Sequence, residues 1–318
     1  MGMKDQTILV TGAAGFIGSS LTDYLLRQGA RVVGVDNFCD FYDESLKRDH
    51  ISGAMGDANF SLVEVDIRDR EGVLDIFRSY EPDVVIHLAA MAGVRPSIEN
   101  PSYYTSVNLC GTVNLLDGAV GVGCEKFIFA SSSSVYGNNE KVPFAESDVV
   151  DHPISPYAAT KKSGELICHS YAHLHPLSVA CLRFFTVFGP RQRPDLAIGK
   201  FLRLIGRGEE ITMFGDGSSS RDYTYIDDIV GGIVGAMDYV SGYEIFNLGG
   251  SSPVSLREMI DAIELTVGKK AKIRELPMQA GDVNRTWADV SYSASCFGYA
   301  PRTSLLDGMA KQWAWMNR

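Results

Sequence analysis

Ile8-Leu-Val-Thr-Gly12-Ala-Ala-Gly15-Phe16-Ile17-Gly18 is the stretch that decides the fold. An uncharged, β-branched run reaches a glycine, and an amphipathic helical pattern over Gly15–Gln28 follows at once. The three glycines have separate uses at such a junction. The first permits a tight turn, the second lets backbone approach a pyrophosphate, and the third lets the helix pack closely on the strand. A helix starting there also turns free N–H groups and the positive end of its dipole toward the phosphates. Glycine triplets also occur in ordinary turns. This one gains weight because strand and helix flank it as a dinucleotide site requires.

Working outward, Arg31–Val35, Phe60–Val65, Val84–Leu88, Lys126–Ala130 and Ser178–Phe184 read, with Thr7–Val10, as strands apolar on both faces. Helical patterns lie between them, among them Glu71–Ser79, Tyr103–Val120 and Pro156–His173. That alternation predicts an α/β fold, a doubly wound parallel sheet of the Rossmann type with right-handed crossovers. After Gly189, loops rich in Gly, Pro, Arg and Asp separate shorter helices, as expected of a ligand-facing lobe. The division expected is 1–185 for the nucleotide-binding domain and 186–318 for a smaller C-terminal α/β substrate lobe, with some strands exchanged between them.

Asp36 ends the second strand. A carboxylate there accepts bonds from adenosine ribose hydroxyls and repels a 2′-phosphate, so NAD rather than NADP is expected. The bland alternative is a turn former before Asn37. Asp66, at the end of the third strand, is a candidate adenine contact, with Ile67 beside it.

Ser155-Pro156 favours a helix start, and Tyr157-Ala-Ala-Thr-Lys161 follows. Residues four apart share a helix face, so phenol and ammonium face one pocket. A tyrosine acting as a base near neutrality needs its pKa lowered from about 10. A neighbouring lysine and a positive nicotinamide ring both favour the phenolate. Ser131-Ser132-Ser133-Ser134 follows the fifth strand at the carboxyl edge, where such sheets bind ligands. A serine hydroxyl there can hydrogen-bond a substrate hydroxyl and pass its proton to Tyr157. A Tyr-x-x-x-Lys alone is usually a solvated helix face. The glycine loop and serine run make the functional reading the stronger one.

The chain has 318 residues, 45% hydrophobic and 21% charged, with a formal net charge of −10 and no Lys/Arg block. Nucleic-acid binding needs a basic stripe and is not expected. The six cysteines are scattered without a C-x-x-C pair, which reads as free thiols in a reducing compartment. No apolar run approaches the roughly 18 residues of a membrane span. Cytoplasmic location and no membrane partner are the expectations. His169 and His173 share a helix face without a third ligand, so no metal site is expected. His87, in an apolar strand, reads as a satisfied core residue.

The glycine loop, the serine run before Val135-Tyr136-Gly137, Tyr157-x-x-x-Lys161, Arg221-Asp-Tyr-Thr-Tyr-Ile-Asp-Asp228 and Gly281-Asp-Val-Asn-Arg-Thr-Trp-Ala-Asp289 together resemble the extended short-chain dehydrogenase/reductase family. Within it the chain looks most like UDP-glucuronate and UDP-glucose 4-epimerases. That resemblance implies Ser132 and Tyr157 as the proton-handling pair, Ser133 as a further catalytic residue, and Lys161 as tuner and ribose ligand. It also implies a cofactor lined by Leu88, Ala89, Ala90, Asn108 and Ser131, and a homodimer through the helices around 103–120 and 156–173. Related 4,6-dehydratases carry Asp-Glu after the catalytic Ser/Thr, where this chain has Ser133 and Ser134. Serine cannot expel a C6 hydroxyl as an acid, which argues for simple epimerisation through a 4-keto sugar, with NAD retained.

Arg193 resembles the carboxylate-binding arginine of glucuronate epimerases, and Thr186 stands where many glucose epimerases have Asn. A bidentate arginine suits a C6 carboxylate; the alternative is that such arginines bind the diphosphate or the chain's own acids. Arg95 lies in a loop expected to face the sugar, Ser134 ends the serine run, and Arg221, Asp282 and Arg285 fall in motifs expected at the nucleotide end. The expected activity is UDP-glucuronate to UDP-galacturonate epimerisation. The alternatives are UDP-glucose/UDP-galactose epimerisation and a catalytically silent NAD-binding scaffold.

Overall fold

The computed structural model describes residues 3–4, 6–277 and 283–318. Its centre is a seven-stranded sheet formed by β1 (Thr7–Thr11), β2 (Arg31–Asp36), β3 (Phe60–Glu64), β4 (Val84–His87), β5 (Lys126–Ser132), β6 (Ser178–Phe184) and one later strand, with every pairing parallel. Beyond β6 come β7 (Thr186–Phe188), β8 (Glu210–Phe214), β9 (Ser220–Tyr225), β10 (Tyr243–Leu248), β11 (Pro253–Ser255) and β12 (Lys272–Leu276). The large sheet runs β10-β6-β5-β4-β1-β2-β3. Its order reverses between β1 and β4, the position at which open α/β sheets leave a crevice for a ligand.

The strands are apolar on both sides because both sides are covered. Ile8, Val10, Ile86 and Ile128 enter one hydrophobic cluster, while Leu9, Val85, Phe127 and Phe129 enter another on the opposite face. Each such side chain contributes about 1.5–3 kcal/mol on full burial. The chain leaves the large sheet after Phe184 and returns to it with helix Ile226–Tyr239 and β10. β7, β8 and β9 fall in that interval while β11 and β12 follow β10, and the β11-β9-β7 sheet and β12-β8 pair build the smaller lobe.

Two helix details matter for the site. Helix Pro156–Leu174 begins as its sequence predicts, with Ser155 accepting from Ala158 N and proline in the first turn. The single helix expected over 103–120 is instead Pro101–Thr105, a π-helical turn at Ser106–Cys110, and Gly111–Val122. Asn108 sits in that widened turn, a distortion that hydrophobic spacing does not encode.

Candidate active site

A cavity of about 480 Å³ opens at the carboxyl edge of the large sheet. At its floor Gly12 has φ +69, and a Cβ there would lie 2.9 Å from Ala89 N. A Cβ on Gly18 would lie 2.0 Å from Gly12 O, so the helix Phe16–Arg27 can seat there only with glycine at that point. Gly15, Phe16 and Ile17 complete the wall. Asp36 is almost fully buried and accepts from Ala14 N at 3.0 Å and Phe38 N at 2.9 Å. Burial pushes its carboxyl above the ordinary range, against those two bonds and the Lys47 charge. This glycine cradle, with an acid at the end of β2, fits a dinucleotide whose ribose hydroxyls Asp36 would hold.

Asn37, Ile67, Leu88, Ala89 and Ala90 also line the cavity. Asp66 does too, but Arg68 and Asn37 already hold its oxygens, and the Arg68 bond above all takes its carboxyl down to about 2. Asn108 does not reach the cavity. At 2% exposure it lies behind the wall, where its amide pairs with both backbone groups of Met91 and donates to Thr160 Oγ1. Ser131 lines the cavity, while its hydroxyl turns back to Glu165 at 2.6 Å; Glu165 in turn meets Arg183 through two bonds of 2.9 Å.

The catalytic candidates converge. Ser132 Oγ accepts from Ser134 N at 3.2 Å and Ser134 Oγ at 2.8 Å, leaving its own proton for the Tyr157 phenol. Burial raises the pKa of that phenol, while the Ser132 bond and the Arg193 charge lower it. The Lys161 ammonium lies 5.9 Å from the centre of the Tyr157 ring and donates to Ala130 O at 2.6 Å, and burial lowers it to about 8. Arg193 lines the same cavity, and its charge favours the phenolate as well.

Ser133, Ser134, Thr186 and Arg193 share this cavity. Arg193 pairs with Asp195 and lies 4.9 Å over the Phe41 ring. The remaining arginines lie elsewhere. Arg95 is exposed, 5.4 Å over the Phe214 ring, and Arg221 on β9 donates to Ser220 O. Exposed Arg285 forms an isolated backbone bridge with Ser220. None of the three lines the cavity, while Asp282 lies outside the described residues. Phe41, Tyr42 and Lys47 line it without having been singled out from sequence. For Phe41 and Tyr42 the signal was an aromatic pair in the loop after β2, at the edge where ligands bind, while Lys47 on helix Glu44–Ile51 carried none.

His87, under the site, makes a fixed relay. Thr112 Oγ1 donates to Asn108 O at 2.7 Å, so it accepts from His87 Nε2 at 2.9 Å. Nδ1 then accepts from Thr11 Oγ1 at 2.7 Å, and that oxygen accepts from Ala89 N at 3.2 Å. Burial holds the imidazole neutral, down to about 3.

The model of the NAD dependent epimerase/dehydratase family matches residues 8–249. A UDP-glucuronate 4-epimerase of Thermodesulfobacterium geofontis is 43% identical over 308 residues, covering 96% of this chain and 95% of that protein. The Bacillus cereus UDP-glucuronic acid 4-epimerase, solved with UDP-glucuronic acid and NAD, superposes with a TM-score of 0.92 at 36% identity, covering 98% of this chain and 99% of that one. The Thermotoga maritima UDP-glucose 4-epimerase, solved with UDP-glucose, gives 0.90 at 34% identity, covering 98% of each chain.

Proposed function

The chain belongs to the NAD dependent epimerase/dehydratase family, and from that premise we propose that it is an isomerase that interconverts UDP-glucuronate and UDP-galacturonate at C4. The observation that carries this reading is one cavity holding the Ser132–Tyr157 pair, Thr186, and an arginine whose charge reaches the Tyr157 phenol. NAD, when bound, supplies the hydride acceptor and donor. Tyr157 takes the O4 proton, with Ser132 placed to relay it. Ser133, Ser134, Thr186 and Arg193 hold the C6 carboxylate. Lys161, anchored on Ala130 O, faces the cofactor ribose. Once the 4-keto sugar has formed, it turns about its bond to the diphosphate, and Tyr157 returns the proton to O4 on the other side. Neither residue 133 nor residue 134 is an acid that could expel a C6 hydroxyl.

We assign cofactor binding to residues 1–185 and the nucleotide-sugar lobe to 186–318, with Arg221, Asp282 and Arg285 toward the nucleotide. A homodimer through helices Gly111–Val122 and Pro156–Leu174 accords with Leu166 at 56% exposure on the second. A cytoplasmic setting accords with six free cysteines. No helix among the described residues is long and apolar enough to cross a membrane.

A second reading, UDP-glucose/UDP-galactose epimerisation, is favoured by one fact: Arg193 already has a carboxylate partner in Asp195. Separate incubation with UDP-glucuronate and UDP-glucose, with C4 configuration assigned by NMR, decides between them. The proposal expects UDP-galacturonate from the first. UDP-galactose from the second, with no turnover of the first, would establish the alternative.

A further inference from the structure

Tyr42 has a buried hydroxyl with no hydrogen-bond partner in the structure, and it lies in the wall of the cofactor cavity. The ring is held from several sides. Lys47 Nζ stands 4.8 Å over it, and Lys47 is itself buried and pinned to the Cys39 carbonyl and, at 3.4 Å, its sulfur. Before Tyr42, Asp36 holds Phe38 N, and Phe38 takes φ +49. After it, Asp43 caps helix Glu44–Ile51 through Ser45 N at 2.9 Å. The segment is therefore tied at both ends, and the phenol does not escape to water by a simple rotation of a loose loop.

A buried polar group without a partner is costly, and native proteins rarely leave one unless a ligand or an ordered water supplies the bond. Burial raises the Tyr42 phenol well above its ordinary range, so it is a donor and needs an acceptor. Its neighbours in the chain locate it. Asp36, at the ribose end, bonds Phe38 N at 2.9 Å, and Arg193 lies 4.9 Å over the ring of adjacent Phe41 in the cavity that Tyr157 also lines. A dinucleotide laid from Asp36 to Tyr157 has its diphosphate at mid-span.

We propose that Tyr42 donates a hydrogen bond to a diphosphate oxygen of the bound cofactor, adding a side-chain donor to the backbone donors of the glycine loop. Residues 37–43 then form a clasp that retains NAD through turnover. This rests on the cofactor reading above. The nucleotide sugar also carries a diphosphate, and the test separates the two sources.

Tyr42→Phe removes only the hydroxyl. Purified holoenzyme is mixed with deuterated NAD, and exchange is followed by mass spectrometry. UDP-glucuronate affinity is measured on the same protein by calorimetry, and melting is recorded with and without added NAD. The expected result is exchange about ten-fold faster or more, the scale of one bond to a charged acceptor. The sugar-nucleotide affinity should stay within about two-fold, and only the NAD-dependent part of the melting temperature should fall. Wild-type exchange in Tyr42→Phe overturns the proposal. So does a loss confined to UDP-glucuronate affinity, which would place the bond on the sugar nucleotide. An equal fall in melting temperature with and without NAD, at unchanged exchange, would make the hydroxyl merely structural. Asp36→Asn is the control: if neither wild type nor that variant retains or binds NAD, the cofactor reading itself has failed.

Discussion

Arg193 and Asp195 meet through two parallel bonds, Nε to Oδ1 at 3.0 Å and Nη2 to Oδ2 at 2.9 Å. The arginine side chain is 18% exposed and the aspartate 52%, so the carboxylate is the half of the pair that water can take back. An ion pair with one partner largely in water is worth on the order of 1 kcal/mol, whereas a bond to a charged group at a desolvated site is worth about 1.5–3. A substrate carboxylate can therefore displace Asp195. Asp195→Asn should lower KM for UDP-glucuronate by roughly two- to five-fold. Arg193→Ala should raise it by about ten-fold or more and move the specificity ratio toward UDP-glucose. A 4-keto glucuronate is a β-keto acid, so the same variant should release some 4-keto-pentose as the carboxylate loses its hold. Steady-state kinetics with both substrates checks this. An unchanged ratio in Arg193→Ala means the arginine does not read the carboxylate.

Tyr157→Phe should lose about 10²–10⁴ in kcat, the usual cost of deleting a general base. Nucleotide-sugar affinity should stay within a few-fold, because the ring remains edge-on to Tyr104 at 6.3 Å. Calorimetric titration beside single-turnover kinetics separates the two effects. Near-normal turnover would move the base elsewhere, with Ser132 the next group in line.

Both ring nitrogens of His87 are committed, and its folded pKa is depressed to about 3 from the ordinary 6.5. Between those values the unfolded chain binds a proton that the folded chain refuses. Stability therefore rises with pH across that window, is fully present above 6.5, and is lost as pH falls toward 3. Urea unfolding of wild type and His87→Gln, from pH 4 to 7, should show a stability difference that grows with pH. A flat difference would mean that His87 titrates normally in the fold.

NAD should co-purify with the protein, and NADP should not replace it. Gly18→Ala must force a Cβ into Gly12 O, so that variant should emerge without cofactor even where it remains folded by circular dichroism. Asp36→Asn should release NAD more readily. Cofactor content by extraction and absorbance tests both. Full occupancy in Gly18→Ala would mean the loop does not cradle the diphosphate.

The sheet was legible because its strands are buried on both faces and flanked by glycine turns, signals that live in short stretches of chain. Tyr157, Lys161 and the serine run were legible for the same reason, each lying on one element at a fixed spacing. What escaped depends on contacts between distant elements. Asn108 occupies a π-helical turn and serves the Met91 backbone rather than the cavity. Arg193, far along the chain, adds a charge that favours the Tyr157 phenolate, which the spacing of Tyr157 and Lys161 could not reveal. Arg95 and Tyr42 exchange importance for a similar reason. The first packs on Phe214 outside the cavity, and the second lines it from a loop that has no motif.

The central claim is that the hydrogen on C4 is kept through turnover and returned to the same carbon, as it would be if bound NAD held it as hydride. UDP-glucuronate deuterated at C4, incubated with the purified protein in ordinary water and read by NMR and mass spectrometry, tests it most directly. The account predicts UDP-galacturonate that keeps its deuterium at C4, with no crossover when labelled and unlabelled substrates are mixed. Product carrying solvent hydrogen at C4 would contradict it.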